Sequence, residues 1–404
     1  MINLSLNKKI IIFGFIFTFF SSFGQSFFLG LFNAPIRNEL DITHGQFGSI
    51  YAVATIFASL LFIWAGKKID DFKLINYSFF VIILLFFSIL FFSFVNSAYF
   101  LAAGIFLMRF SGQGLMSHTS STAISRYFEK SRGKALSKIW LGMSTAEFIL
   151  PVLIIYFLTI YSWRSVWQGI SIIVIVILPL VINFTIKKIN LESREDDLEK
   201  KLKTKIKSWK RIEVLKDFRF YIISSNMLAM PWIFTGMAVY QSFISDSKLW
   251  DVYTIPKAFM VYSVASIITL FLSGFLVDKF TSRKLIPIMN IPLLLAMFVL
   301  FYSKQEVSAY FFLGLIGISN GFGNILGSST WAEIYGVKYI GSIKALTTAF
   351  MVFSTALGTA VFGILIDKGF TIENIAFICG SYIIASISLL ILFGKTLEPV
   401  KLVN

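Results

Sequence analysis

The sequence predicts an all-α membrane protein of twelve transmembrane helices arranged as two six-helix halves, and three observations carry that expectation. The 404-residue chain is 57% hydrophobic and only 14% charged, with a mean hydropathy of +0.80, where a soluble domain carries about 25% charged residues. Its apolar runs repeatedly reach the roughly 20 residues that a helix needs to cross a bilayer. Short motifs recur at an offset of about 208 to 210 residues, as an internal duplication predicts.

The net charge of +15 does not point to nucleic acid, because basic residues in short loops between apolar segments set membrane orientation. One cysteine, Cys379, and two histidines, His44 and His118, leave no disulfide framework and no metal or haem cluster. The start, MINLSLNKKIIIFGFIF, has the basic-then-apolar order of a signal peptide. Its apolar run continues to about Phe32, too long for one, and reads as a retained first span.

Twelve segments satisfy the length rule. In the first half they run Ile10 to Phe32, Phe47 to Ala65, Leu74 to Val95, Ala98 to Ser120, Leu136 to Leu158 and Val166 to Ile186. In the second they run Tyr221 to Ile244, Ala258 to Val277, Leu285 to Tyr302, Ala309 to Ile334, Leu346 to Ile366 and Ile372 to Phe393. Lysine and arginine crowd the loops on one side, which places both termini in the cytoplasm of a cell-membrane protein. The long hydrophilic stretch from Lys187 to Arg219 reads as a charged, surface-lying linker. It divides the chain into a bundle at 1–186, the linker at 187–219 and a bundle at 220–404.

The duplication is legible in three places. Gly66 to Asp70 (GKKID) follows the second span as Gly274 to Asp278 (GFLVD) follows the eighth. GQG at Gly112 to Gly114 answers GFG at Gly321 to Gly323, and KAL at Lys134 recurs at Lys344. With GFLVDKFTSRK, RYFEKSRGKA and the fourth-span arginine Arg109, the chain resembles the major facilitator superfamily of secondary transporters. Here Asp71 replaces the usual basic residue of the first loop copy, and the Arg283–Lys284 pair falls one position late.

That resemblance implies two six-helix repeats around a cavity lined by the first, fourth, seventh and tenth helices, opening alternately to each side. It makes Gly66, Asp70, Arg126, Arg132, Gly274, Asp278, Arg283 and Lys284 a conformational gate rather than substrate contacts. The bland alternative is that these loops only fix topology. It suits the basic residues better than the aspartates.

Arg109 and Glu147 lie at similar depth on consecutive antiparallel spans, close to the midplane. An intramembrane arginine needs a partner or a pathway. One reading is a permanent ion pair that joins two helices. The other is that Glu147 takes a proton and frees Arg109 to bind an anion. Gln113 shares the Arg109 face, whereas His118, nine residues on, falls about 180° round an ideal helix and reads as a packing histidine. Further polar candidates are Gln25 with Ser22 in the first span, Asn226 and Gln241 in the seventh, and Asn320 and Asn324 in the tenth. Each Asn or Gln is equally suited to interhelical hydrogen bonding. The tenth-span glycines read as close-packing positions, and the phenylalanines as lipid-facing bulk.

No phosphate-binding loop, nucleophile elbow or metal-protease motif is present. The expectation is therefore a non-enzymatic, cofactor-free secondary transporter that works as a monomer in the bilayer. It would move a small organic anion such as a monocarboxylate, with a proton as coupling ion. The rival readings are an exporter of hydrophobic or cationic compounds and a membrane solute sensor that does not transport.

Overall fold

The structure, a computed structural model, describes residues 6–128, 132–187, 209–336 and 339–398. Among these residues every regular element is a helix. Among the described residues, eleven helices are long and apolar enough to cross a membrane. The twelfth is the fourth predicted span, helical from Ala98 to Tyr127 but wound in three parts: α over Ala98–Met108, π over Arg109–Met116 and α again over Ser117–Tyr127. The π turns are why no single α stretch there reaches spanning length. The twelve-helix architecture holds.

The chain separates into two compact units. One is Met1–Glu195 with Ala238–Ser242, the other Asp196–Met237 with Phe243–Asn404. Of the expected linker, residues 188–208 lie outside the described residues. Its end forms a short helix, Arg211–Lys216.

In the first unit, the first span is not the unbroken helix expected over Ile10 to Phe32. It runs Leu6–Ser21, tightens through Ser22–Gly24, becomes extended at Gln25 (φ −84°, ψ 153°) and resumes over Ser26–Gly30. The break coincides with a backbone crossing. A Cβ on Gly24 would lie 2.3 Å from the Met108 carbonyl oxygen and 2.4 Å from the Gln113 nitrogen, and one on Gly112 would lie 2.8 Å from the Gly24 nitrogen. Only glycines let the first and fourth spans approach this closely. The second span, His44–Lys67, starts at a capping box in which Thr43 and Gln46 satisfy each other's backbone N–H groups. The third, fifth and sixth spans are Leu74–Ser93, Arg132–Leu158 and Trp163–Thr185.

The phenylalanines divide between two surroundings. Phe28, Phe32 and Phe92 are buried around the Trp167 ring, with centroids 5.4, 4.7 and 5.1 Å away. Phe57, Phe87 and Phe100 face outward. The expectation of lipid-facing bulk therefore fails for the first span, whose rings close the interior of their own unit. In a bilayer such packing, not release of water, is what holds helices together.

The seventh span comes in three pieces, Phe218–Met227, Ala229–Val239 and Gln241–Lys248, and belongs to the second unit except at Ala238–Ser242. After it come Thr254–Phe280, a ninth span in two pieces (Ser282–Met289 and Ile291–Tyr302), Val307–Tyr335, Ile340–Asp367 and Ile372–Leu392. Two tenth-span glycines do pack closely. A Cβ on Gly317 would lie 2.3 Å from the Tyr262 carbonyl oxygen, and one on Gly321 would lie 2.7 Å from that of Ser266. At Gly323 and Gly327 a Cβ would meet nothing within 4 Å. Those two border open space instead.

Candidate functional site

Arg109 opens the π-helical stretch and is 3% exposed. Its Nη1 donates to the Gly24 carbonyl at 3.1 Å and to Ser26 Oγ at 3.2 Å. The guanidinium carbon lies 5.4 Å from the centre of the Tyr51 ring, and the Tyr51 hydroxyl donates to the same Ser26 Oγ at 3.0 Å. The first-span break supplies the acceptor. In a continuous α-helix the Phe28 N–H would bond to Gly24, but here it bonds to Gln25 together with Leu29. The Gly24 carbonyl is left facing the guanidinium. Nε has no acceptor, and among the described residues no carboxylate pairs with Arg109.

Glu147 is 8% exposed in the middle of the fifth span, and its side chain makes neither a hydrogen bond nor an ion pair with any described residue. Four residues on, Pro151 has no N–H, so the Glu147 carbonyl also lacks its helical partner. Of the two readings of Arg109 and Glu147, the ion pair is not formed in this structure. Counting residues gives depth along a helix, but the freed carbonyl of the first span decides where the guanidinium turns.

His118 bonds through Nε2 to the Gly66 carbonyl at 3.0 Å and lies edge-on to Phe62. It is a packing histidine, as expected, but its direction is not. Arg109 and His118 both touch the second span, because each π turn holds one residue more than an α turn and rotates the remainder of the helix by about 100°. The side chains of Gln25 and Gln113 bond to no described residue. Ser22 Oγ is buried without a partner. Gln241, within the first unit, donates to the carbonyls of Phe27 (3.0 Å) and Ala238 (2.9 Å) and leaves its own Oε1 unsatisfied.

The second unit holds a cavity of about 330 Å³. Asn320, Gly323, Asn324, Gly327 and Trp331 line it at the i, i+3, i+4, i+7, i+11 spacing of one helical face. Asn320 is tethered to Ser266 Oγ at 2.9 Å, whereas the exposed Asn324 bonds to no described residue. Asn226 stays outside the cavity. Fully buried, it donates to Ser386 Oγ at 3.2 Å and accepts from Asn290 at its backbone (2.6 Å) and side-chain (3.1 Å) oxygens. It ties the seventh span to the ninth and twelfth.

Of the expected gate, Arg126 donates to the Ile69 carbonyl at 3.4 Å, holding the turn Lys68–Asp70. Arg283 pairs with Glu333 at 3.6 Å and Glu398 at 3.5 Å. Lys284 is exposed and makes no ion pair with described residues, and Gly274 has open space beside it. The side chains of Asp70, Arg132 and Asp278 lie outside the described part of the structure.

Ser26, Tyr51 and the lining residue Lys344 escape the sequence reading. For Ser26 a signal exists: GQS interrupts a phenylalanine run where the first span breaks. On the lysine-poor faces two clips also emerge. Arg164 Nη2 meets Glu39 Oε1 at 2.5 Å while Trp163 Nε1 donates to Glu39 Oε2 at 2.6 Å. In the second unit Lys248 meets Glu373 at 2.7 Å.

A family model described as Major Facilitator Superfamily matches residues 14–359. Among solved structures, the nucleoside transporter NupG aligns over 97% of this chain and 100% of its own, with 13% identity and a TM-score of 0.72. A bacterial homolog of the human lysosomal transporter Spinster, captured inward-facing and unoccupied, aligns over 97% and 96% with 14% identity and a TM-score of 0.67. At such identities the likeness establishes the fold. No curated protein matches the chain.

Proposed function

The chain belongs to the Major Facilitator Superfamily, and from that premise we propose that this membrane transporter carries a small organic anion by alternating access, coupled to protons through Glu147. The observation that carries the reading is the Arg109 guanidinium, buried with no carboxylate partner among the described residues. A charge at that depth costs at least ~2.5 kcal/mol, and the partners of Arg109, the Gly24 carbonyl, Ser26 and the Tyr51 ring, are all neutral. An anionic substrate supplies the missing countercharge, and the unused Nε supplies a donor. Ser26 and Tyr51 orient the guanidinium, while Gln25 and Gln113 offer neutral hydrogen bonds.

Glu147 is the complementary case, a buried carboxyl with no cation beside it. Proton uptake there removes an uncompensated charge, and release returns it, so proton and substrate movements are linked. The loop residues around Arg126 and Arg283, with Asp70 and Asp278, form the gate on the side that holds both termini, the cytoplasm. The six-helix bundles at 1–186 and 220–404, joined by a charged linker at 187–219, move as the two alternating bodies of a monomer.

The test is uptake of radiolabelled carboxylates into proteoliposomes with and without an imposed proton gradient. Wild type accumulates substrate as protons run down the imposed gradient, Arg109→Gln does not, and Glu147→Gln loses accumulation while still exchanging substrate. Carboxylate uptake that survives Arg109→Gln would refute the reading, as would movement of cations alone. Binding without flux would make the protein a sensor.

A further inference from the structure

The cavity of the second unit has two chemically distinct walls. One is thioether and hydrocarbon: Met227, Met230, Met289 and Met351 line it, so four of the chain's 11 methionines meet around one space. They come from the seventh, ninth and eleventh spans, with Met227 and Met230 flanking the seventh-span break at Leu228 and Met289 directly before the ninth-span break at Asn290. Methionine is unbranched and polarizable, and a surface made of it adapts to apolar bodies of varied outline.

The other wall is polar and carries one sign of charge. Lys344, Thr347 and Thr348 stand at i, i+3, i+4 on the eleventh span and face into the cavity with Met351 one turn further on. Lys344 makes no ion pair and Asn324 no hydrogen bond with described residues, and no acidic residue lines the space. Across it, Gly323 and Gly327 have nothing within 4 Å of where a Cβ would be. Those glycines hold the volume open.

We propose that this cavity is a binding site for an amphipathic organic monoanion, whose charged end meets Lys344 and Thr348 and whose apolar body, several carbons long, lies among the methionines. About 330 Å³ falls in the range of organic-ligand sites. It exceeds what a two- or three-carbon acid fills, so apolar contact sets affinity. The inference goes beyond the transport reading and does not depend on Arg109.

Binding of labelled phenylacetate, 3-phenylpropionate and 4-phenylbutyrate to the purified full-length protein in lipid nanodiscs tests it, with the matching amides as neutral controls. Each added methylene is expected to tighten binding about fourfold, and each acid to bind several-fold better than its amide. Gly327→Leu fills the cavity without a backbone clash and flattens the chain-length series, while Lys344→Gln keeps the series and loses the preference for acid over amide. Gly169→Leu, at another glycine with open space around it, reports on folding. A series flat in wild type, or one unchanged by Gly327→Leu, overturns the proposal. If short acids are still carried in an Arg109-dependent way while the series is flat, the transport reading stands and this one falls. A graded series without flux has the opposite meaning.

Discussion

Lys248 and Glu373, 2.7 Å apart at the head of the last span, repeat the Glu39–Arg164 pair with the charges exchanged. Lys248 follows Glu39, and Glu373 follows Arg164, by the same offset of about 209 residues, the register of the internal duplication. Each clip ties the chain leaving the first helix of its half to the start of the sixth. The duplication preserved the bond and not the residue types.

The two clips differ in burial, and this sets their strength. The Lys248 side chain is fully buried, whereas the Glu39 side chain is 45% exposed. Glu373, 29% exposed, makes this pair half buried; Glu373→Gln leaves the buried ammonium without a countercharge and is expected to cost about 1 to 3 kcal/mol. Glu39→Gln removes a solvated partner and costs about 1 kcal/mol or less. Thermal unfolding of the two variants in detergent checks the order, and Lys248→Glu with Glu373→Lys should recover part of the loss.

The Glu39 clip is also sensitive to acid. Burial raises the affinity of Glu39 for a proton, but the hydrogen bonds from Arg164 and Trp163 and the Arg164 charge together outweigh it. Its pKa lies below the usual 4.5. The unfolded chain takes the proton first, so the clip's contribution is complete above 4.5 and fades as pH falls through the lowered value. Stability measured between pH 6 and pH 3 should drop less for Glu39→Gln than for wild type.

Tyr51→Phe keeps the ring under Arg109 and deletes the hydroxyl that holds Ser26. The expected loss is about 1 kcal/mol of substrate affinity, a roughly fivefold rise in KM at unchanged expression. Ser26→Ala removes an Arg109 acceptor as well and should cost more. Concentration-dependent uptake separates the two.

Asn226→Ala should destabilise the protein by about 1 kcal/mol, because Asn290 loses its side-chain acceptor and Ser386 a donor, while Asn290 keeps the residue-226 carbonyl and Ser386 its bond to Ile383. Uptake per folded molecule should be unchanged. A large change in KM with normal stability would return Asn226 to the substrate site.

Gly24→Ala drives a methyl group into the Met108 carbonyl. A lowered melting temperature or failure to fold is expected, whereas Gly169→Ala, with free space around it, should melt like wild type or above it.

Hydropathy made all twelve spans legible because the bilayer imposes one length on every helix. It also placed Arg109 and Glu147 at depth, a coordinate measured along one axis. The features that stayed hidden depend on a second helix. Nothing in Leu228 announces a break, and at Gln25 the GQS interruption takes on its meaning only beside the Gly24–Gly112 crossing. The same holds for Arg109, whose acceptors lie about 85 residues upstream and exist only because a carbonyl was released there. Gly323 and Gly327 show the limit of residue type: they read like Gly317 and Gly321 in the sequence, yet they face space rather than a neighbour.

The fourth span acts as a screw with slack in its thread. Its π turns hold surplus residues between Arg109 and Ser117, and winding one of them down to α would turn the Ser117–Tyr127 segment by about 100° without lengthening the chain. That single twist would pull His118 off the Gly66 carbonyl and Arg126 off the Ile69 carbonyl together. An event at the guanidinium can thus reach the loop at the far end of the helix as torque.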